Sequence, residues 1–218
     1  AYFEEKQLPP PASLDDLLKP EYKDMTVVQN PASSSPGLAF LLATIGKYGE
    51  AGYLDYWKSL RANGLLVVND WSTAYYTEFT RAGGSRPIVL SYSSSPVFEI
   101  LFAEPPAEGE LTPAVVQPPT AALTSDSACF RQVEFAGILK GTPNRPLAEK
   151  WIDFMLSKTF QEDLPLQMYV FPVNRQANLG EAFNQYLVNP AKPVSLPAAQ
   201  IAERREQWIQ AWTEAVLR

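Results

Sequence analysis

The sequence predicts an α/β fold, a mixed sheet flanked by helices, and three observations carry that prediction. Short β-branched runs alternate with longer apolar stretches at helical spacing. Serine, proline or glycine closely follows each run, and these residues end strands and open helices. Hydrophobic residues make up 46% and charged residues 19% of the 218, which supports a packed core rather than disorder.

Residues 7–20 read as a linker entering a short helix that Ser13 caps and Pro20 ends. Residues 25–29 read as a strand on the strength of Thr26, Val27 and Val28. Helices are predicted over 36–48, stopped by Gly49, and over 53–62, stopped by Asn63-Gly64. A strand follows at 65–68, a helix at 74–80, a strand at 87–92 and a helix at 96–103. Such alternation implies a parallel or mixed sheet covered on both faces. Residues 105–127, rich in Pro, Ala, Thr and Ser, read as a long surface excursion. A strand is expected over 130–139 and a helix over 146–157. The helix carries Leu147, Trp151, Ile152, Met155 and Leu156 as an apolar stripe expected to pack in a core. After a loop-rich stretch over 171–197, the last helix places Ile201, Trp208, Trp212 and Ala215 on one face.

Composition removes several function classes. The chain holds no histidine, which excludes Ser-His-Asp and Cys-His catalysis and removes the commonest transition-metal ligand. Cys129 is the single cysteine, so no intrachain disulfide forms. Neither a P-loop nor a GxGxxG occurs, and the 24 carboxylates form no recognisable catalytic pair. A net charge of −6 argues against nucleic acid as a partner. The chain therefore reads as a binding protein and not an enzyme, with no cofactor and no metal. The opening residues carry neither a basic nor an apolar leader region, so an export signal, if there was one, is expected to have been removed.

The informative feature is an internal echo. In residues 25–36, Met-Thr-Val-Val-Gln-Asn-Pro-Ala-Ser-Ser-Ser-Pro, a strand runs into three serines and a proline. Residues 88–96, Ile-Val-Leu-Ser-Tyr-Ser-Ser-Ser-Pro, repeat the device. Each motif brings hydroxyls and free backbone N–H groups to a positive helix end, which suits an anion or a polar ligand group. Both follow strands, and open α/β sheets bind ligands at the carboxyl ends of their strands. Asn69-Asp70-Trp71-Ser72 follows the strand at 65–68, so Trp71 adds an aromatic face to the same edge and Asp70 a carboxylate. Tyr92 precedes the second serine triplet. A ring beside a carboxylate suits a flat cation.

Four segments stand in order: residues 30–38, residues 70–75, residues 90–96 and residues 168–174, Met-Tyr-Val-Phe-Pro-Val-Asn. Together they resemble the thiamine-binding periplasmic proteins of bacterial thiamine uptake transporters. Residues 141–155 resemble the broader iron- and thiamine-type solute-binding proteins. The resemblance implies a periplasmic-binding-protein-like (type II) fold of two lobes that closes on thiamine or a thiamine phosphate. The ligand is then delivered to the membrane permease of an ABC transporter. It implies a periplasmic or extracellular location, with or without a lipid anchor.

The resemblance places Ser34 and Ser35 at the hydroxyl or phosphate end of the ligand. Trp71 and the run Tyr92, Ser93, Ser94 and Ser95 line the same pocket, and Tyr169 closes it from the other lobe. Phe98 stands where the family has an aromatic hydroxyl, and Tyr169 where it has a tryptophan, so stacking is kept and one hydroxyl is lost. Residues 1–129 are expected to form the second lobe with a leading hinge segment. Residues 130–218 are expected to be a return segment of a first lobe whose earlier part precedes Ala1. The rival reading is a ferric-ion-binding or polyamine-like solute-binding protein. The iron-binding pattern uses a consecutive tyrosine pair where this chain has Tyr92-Ser93, and Tyr75-Tyr76 falls in a predicted helix with its rings about 100° apart.

Overall fold

The computed structural model describes residues 2–102 and 117–218. In chain order its helices begin with α1 (Tyr2–Glu5), α2 (Ser35–Ala62), α3 (Trp71–Thr73) and α4 (Ser95–Leu101). They continue with α5 (Arg145–Met155), α6 (Lys158–Met168), α7 (Gly180–Tyr186) and α8 (Ala198–Val216). Among the described residues three strands, β1 (Thr26–Gln29), β2 (Leu66–Val68) and β3 (Ile88–Val89), form one sheet in the order β2-β1-β3. Both pairings are parallel, with Val28 opposite Val67 and Val27 opposite Val89. This is one of the two arrangements that strand–helix alternation allows. No helix among the described residues is long and apolar enough to cross a membrane.

The chain divides into two compact units. One comprises residues 1–92, 123–132 and 189–218, the other residues 93–122 and 133–188. This grouping departs from a single cut after residue 129. α8 packs on α2, and the segment around Cys129 joins residue 194, so the last thirty residues belong with the sheet.

In the first unit, β1 is buried along its whole length, as a central strand covered on both faces must be. The core gathers Val28, Leu41, Trp57 and Leu60 with Trp208 and Trp212 from α8. The expected apolar face of the last helix is therefore core. As expected, α2 holds two helical stretches that meet in a kink at Gly49, whose non-helical φ of 72° and ψ of 169° only glycine adopts readily. Glu50, just past the kink, pairs with Arg204 and accepts from Gln200 at 3.2 Å, which ties α2 to α8. Ser13 Oγ accepts from the Asp16 N–H at 3.3 Å, as expected of a cap, but the helix is a single tight turn, Asp16–Leu18. Pro20 opens a second such turn, Pro20–Tyr22, rather than only ending the first.

Gly37, in the first turn of α2, lies against the end of β1. A Cβ there would sit 2.5 Å from Gln29 O and 2.9 Å from the carbonyl of Asn30. Both obstacles are backbone, so the helix would have to lift from the sheet. Gly37→Ala should cost about 1–3 kcal/mol, the usual penalty for overpacking. The check is the denaturant midpoint: an unshifted value would show that α2 is free to move.

In the second unit, Val97, Phe98 and Phe183 form a small buried cluster, with Tyr169, Leu179 and Tyr186 packed around it. Two expectations fail here. Residues 131–139 form no strand; Phe130 alone makes a bridge, to Val194, and both of these residues belong to the first unit. The stripe on α5 is not core: Leu147 is 67% and Trp151 57% exposed among the described residues. Helical spacing reports that a helix has an apolar face, not that a partner covers it. Shallow apolar hollows against α5 are lined by Leu139, Thr142, Leu147 and Trp151. The expected excursion lies outside the described residues over 105–116, and so does the end of the helix expected over 96–103.

Candidate functional site: an aromatic and hydroxyl rim at the sheet edge

Three turns leave the carboxyl ends of the three parallel strands. After β1, the main chain and side chain of Asn30 organise the serine turn. Its carbonyl accepts from the N–H groups of Ser33 and Ser34, at 3.2 and 3.0 Å, and its Oδ1 accepts from the Ala32 N–H at 2.9 Å. Ser34 is extended (φ −135°, ψ 130°) and its carbonyl takes the first helical bond, from the Leu38 N–H. Its hydroxyl makes no capping bond, so the expected serine cap is absent. Asn30 thus satisfies the N–H groups of the turn that precedes α2, at residues 32–34. Ser33 Oγ donates to Asn69 O at 2.7 Å and links this turn to the one after β2.

After β2, Asp70 caps α3. Its Oδ1 accepts from the Thr73 N–H at 2.7 Å and its Oδ2 from Thr73 Oγ1 at 2.8 Å. The Thr73 main-chain bond, then its hydroxyl, holds the Asp70 carboxyl below its ordinary value of 3.8. A lowered folded-state value contributes stability above pH 3.8, lost as pH falls through the folded value. Asp70→Ala should therefore lower the denaturation midpoint at neutral pH, and the difference should close only below about pH 3.8. A gap that is already closed at pH 5 to 6 would contradict this cap.

Trp71 follows directly and is half-buried. Its Nε1–H donates to Ser91 Oγ at 2.9 Å. Its ring stacks on Tyr75, with centroids 4.7 Å apart and planes 18° apart, and meets Tyr76 edge-on at 5.3 Å. Tyr92, after β3, stands 6.2 Å from the same ring, tilted 49°. Tyr75 and Tyr76 lie on a π-helical turn, Ala74–Glu78, a distortion often found at functional sites. Tyr75 is 8% and Tyr76 58% exposed, the one-in, one-out pair expected of adjacent helical residues. They do not converge as a ligand pair. Four rings thus gather on one edge, beside the exposed carboxylate of Asp70 and the start of α2. Such an assembly offers π-faces to a flat cation and hydroxyls to a polar group.

The remaining expected residues belong to the second unit. Ser94 and Ser95 are buried and Ser93 half-buried at the start of α4. Ser94 has helical dihedrals (φ −80°, ψ −16°) from which its hydroxyl does not cap; it donates instead to Tyr169 O at 2.8 Å. Tyr169 ends α6 in the left-handed conformation (φ 59°, ψ 20°), uncommon for a residue with a side chain. Phe98 lies 4.2 Å from its ring, edge to face. Ser94 and Phe98 therefore brace Tyr169, within one unit. Ser33, Asn30, Tyr75, Tyr76 and Ser91 join the candidate set from the structure. Asn30, Ser33 and Ser91 lie in the repeated strand–serine segments, and Tyr75-Tyr76 reads as a helical pair; their bonds and ring contacts come from the structure.

The family model described as bacterial extracellular solute-binding protein matches residues 4–194. The chain belongs to that family. Among its similar relatives, the thiamine-binding periplasmic protein of Brucella suis biovar 1 (strain 1330) is 31% identical over 218 residues. That alignment takes in all of this chain and 60% of that protein. The thiamine-binding periplasmic protein of Escherichia coli (strain K12) is 30% identical over 217 residues, covering 61% of its length. A solved periplasmic thiamin binding protein superposes with a TM-score of 0.78 at 29% identity, over 96% of this chain and 60% of that one. The chain thus spans about 60% of the length of these solute-binding relatives.

Proposed function

We propose that this solute-binding chain captures thiamine, or one of its phosphates, for a bacterial ABC uptake transporter. It works in the periplasm and hands the ligand to the membrane permease. It performs no chemistry on the ligand. The observation that carries this reading is the Trp71 rim: a half-buried indole, held by Ser91 and backed by Tyr75, with Tyr92 beside it. Thiamine carries a flat, cationic thiazolium ring, and a ring face in a partly desolvated setting attracts such a cation by about 1–2 kcal/mol. The turn at Ser34 and Ser35, at the positive end of α2, suits its hydroxyl or phosphate end. Similarity along the whole chain to thiamine-binding periplasmic proteins supports the same ligand class. Within the second unit, Phe98 and Tyr169 form a braced aromatic pair of the kind a ring-bearing ligand would use.

Titration with thiamine, thiamine monophosphate, thiamine diphosphate, spermidine and ferric ion, followed by tryptophan fluorescence, tests the reading. Quenching by the thiamine compounds and by neither control is the expected result. Saturable binding of ferric ion with a tyrosinate charge-transfer band would replace it.

A further inference from the structure

Gln29 ends β1, and its side chain is fully buried although it is polar. Its Nε2 donates to Leu90 O at 2.9 Å, while its Oε1 has no partner among the described residues. An apolar side chain of the same length would fill this place without burying an unpaired oxygen. Core packing alone therefore does not account for an amide here. The bond to Leu90 is what an apolar replacement would lack.

That bond falls at a particular place. The paired register of β1 and β3 stops at Val27 opposite Val89, and the Leu90 N–H donates to Val27 O at 2.9 Å. The Gln29 side chain carries the junction onward to the Leu90 carbonyl, on the peptide unit that leads into Ser91. Ser91 Oγ is the acceptor of the Trp71 indole N–H, and Tyr92 comes next. Rotation of the 90–91 peptide would move Ser91 Oγ away from the indole and shift Tyr92 with it. The amide blocks that rotation by holding the carbonyl.

We propose that Gln29 is a positioning residue of the aromatic rim: through Leu90 it sets Ser91, and through Ser91 the plane in which Trp71 faces a ligand. This rests on the reading of that rim as the ligand site. Gln29 touches no ligand itself, and its influence runs through one hydrogen bond.

The test is Gln29→Met in the chain as it stands, read by the indole N–H resonances with the Trp71 signal assigned from Trp71→Phe. The Trp71 indole proton should move and exchange about tenfold faster, the scale of losing one buried hydrogen bond. The indole signals of Trp57, Trp208 and Trp212 should stay in place. Thiamine affinity should fall by a similar factor. A folded Gln29→Met protein with an unmoved, equally protected Trp71 indole proton overturns the proposal. Should the variant not fold, wild-type exchange decides. The Gln29 side-chain amide and the Trp71 indole proton should then respond to denaturant in parallel, and divergent responses overturn the proposal. A Trp71 signal that responds in Gln29→Met, in a protein that ignores thiamine, keeps the positioning role and removes only the ligand assignment.

Discussion

Replacing Trp71 by Ala should weaken thiamine binding by about 1–3 kcal/mol, roughly 5- to 150-fold, while leaving the fold largely intact. The size follows from what the ring does. It meets three tyrosines of the rim, and its indole N–H is anchored. Its loss removes a stacking face and also frees Tyr75 and Ser91 to rearrange. The stability cost is smaller because Trp71 is half-buried and stands outside the main core cluster. Trp71→Phe keeps a face and loses the anchor, so its affinity should lie between those of wild type and Trp71→Ala. Calorimetric titration of the three proteins gives the ranking. An unchanged dissociation constant for Trp71→Ala, with normal thermal stability, would remove Trp71 from the site.

The parts of this site that were legible in the sequence are those built from neighbours in the chain. Thr26-Val27-Val28, the serines after them and Trp71 after β2 are each local signals. The parallel sheet then brings them to one edge, because every strand points the same way. The links between the turns were not legible. Ser33 to Asn69, Trp71 to Ser91 and Gln29 to Leu90 join residues 36, 20 and 61 positions apart, and no periodicity announces them. The serine caps expected at Ser34 and Ser94 are absent. Serine is a favoured cap, but the Ser34 hydroxyl makes no capping bond, and Ser94, with helical dihedrals, donates to Tyr169 O instead. The stripe on α5 and the last helix look alike in sequence. Trp212 is buried against α2, while Trp151 is exposed among the described residues. Only the tertiary partner separates them.

Trp57→Ala should cost about 3–5 kcal/mol, a large share of the roughly 5–15 kcal/mol that holds a domain together. Trp57 is fully buried at the crossing of α2 and α8. It meets Phe40, Tyr56 and Trp212 edge to face, at 5.2, 6.2 and 5.4 Å. Trp212 is equally buried, but the two indoles differ in one respect. The Trp57 Nε1–H donates to Thr44 Oγ1 at 2.9 Å, whereas the Trp212 Nε1–H has no partner among the described residues. Replacement by Phe isolates that difference, since it removes about the same volume at both sites. Trp57→Phe loses a satisfied buried bond, about 1 kcal/mol, and leaves Thr44 Oγ1 without its donor. Trp212→Phe removes an unsatisfied donor, which offsets part of its cavity cost. Trp57→Phe should therefore be the more destabilising of the two. Guanidinium unfolding followed by far-UV circular dichroism gives both values, and a costlier Trp212→Phe would mean that the indole of Trp212 is bonded in solution.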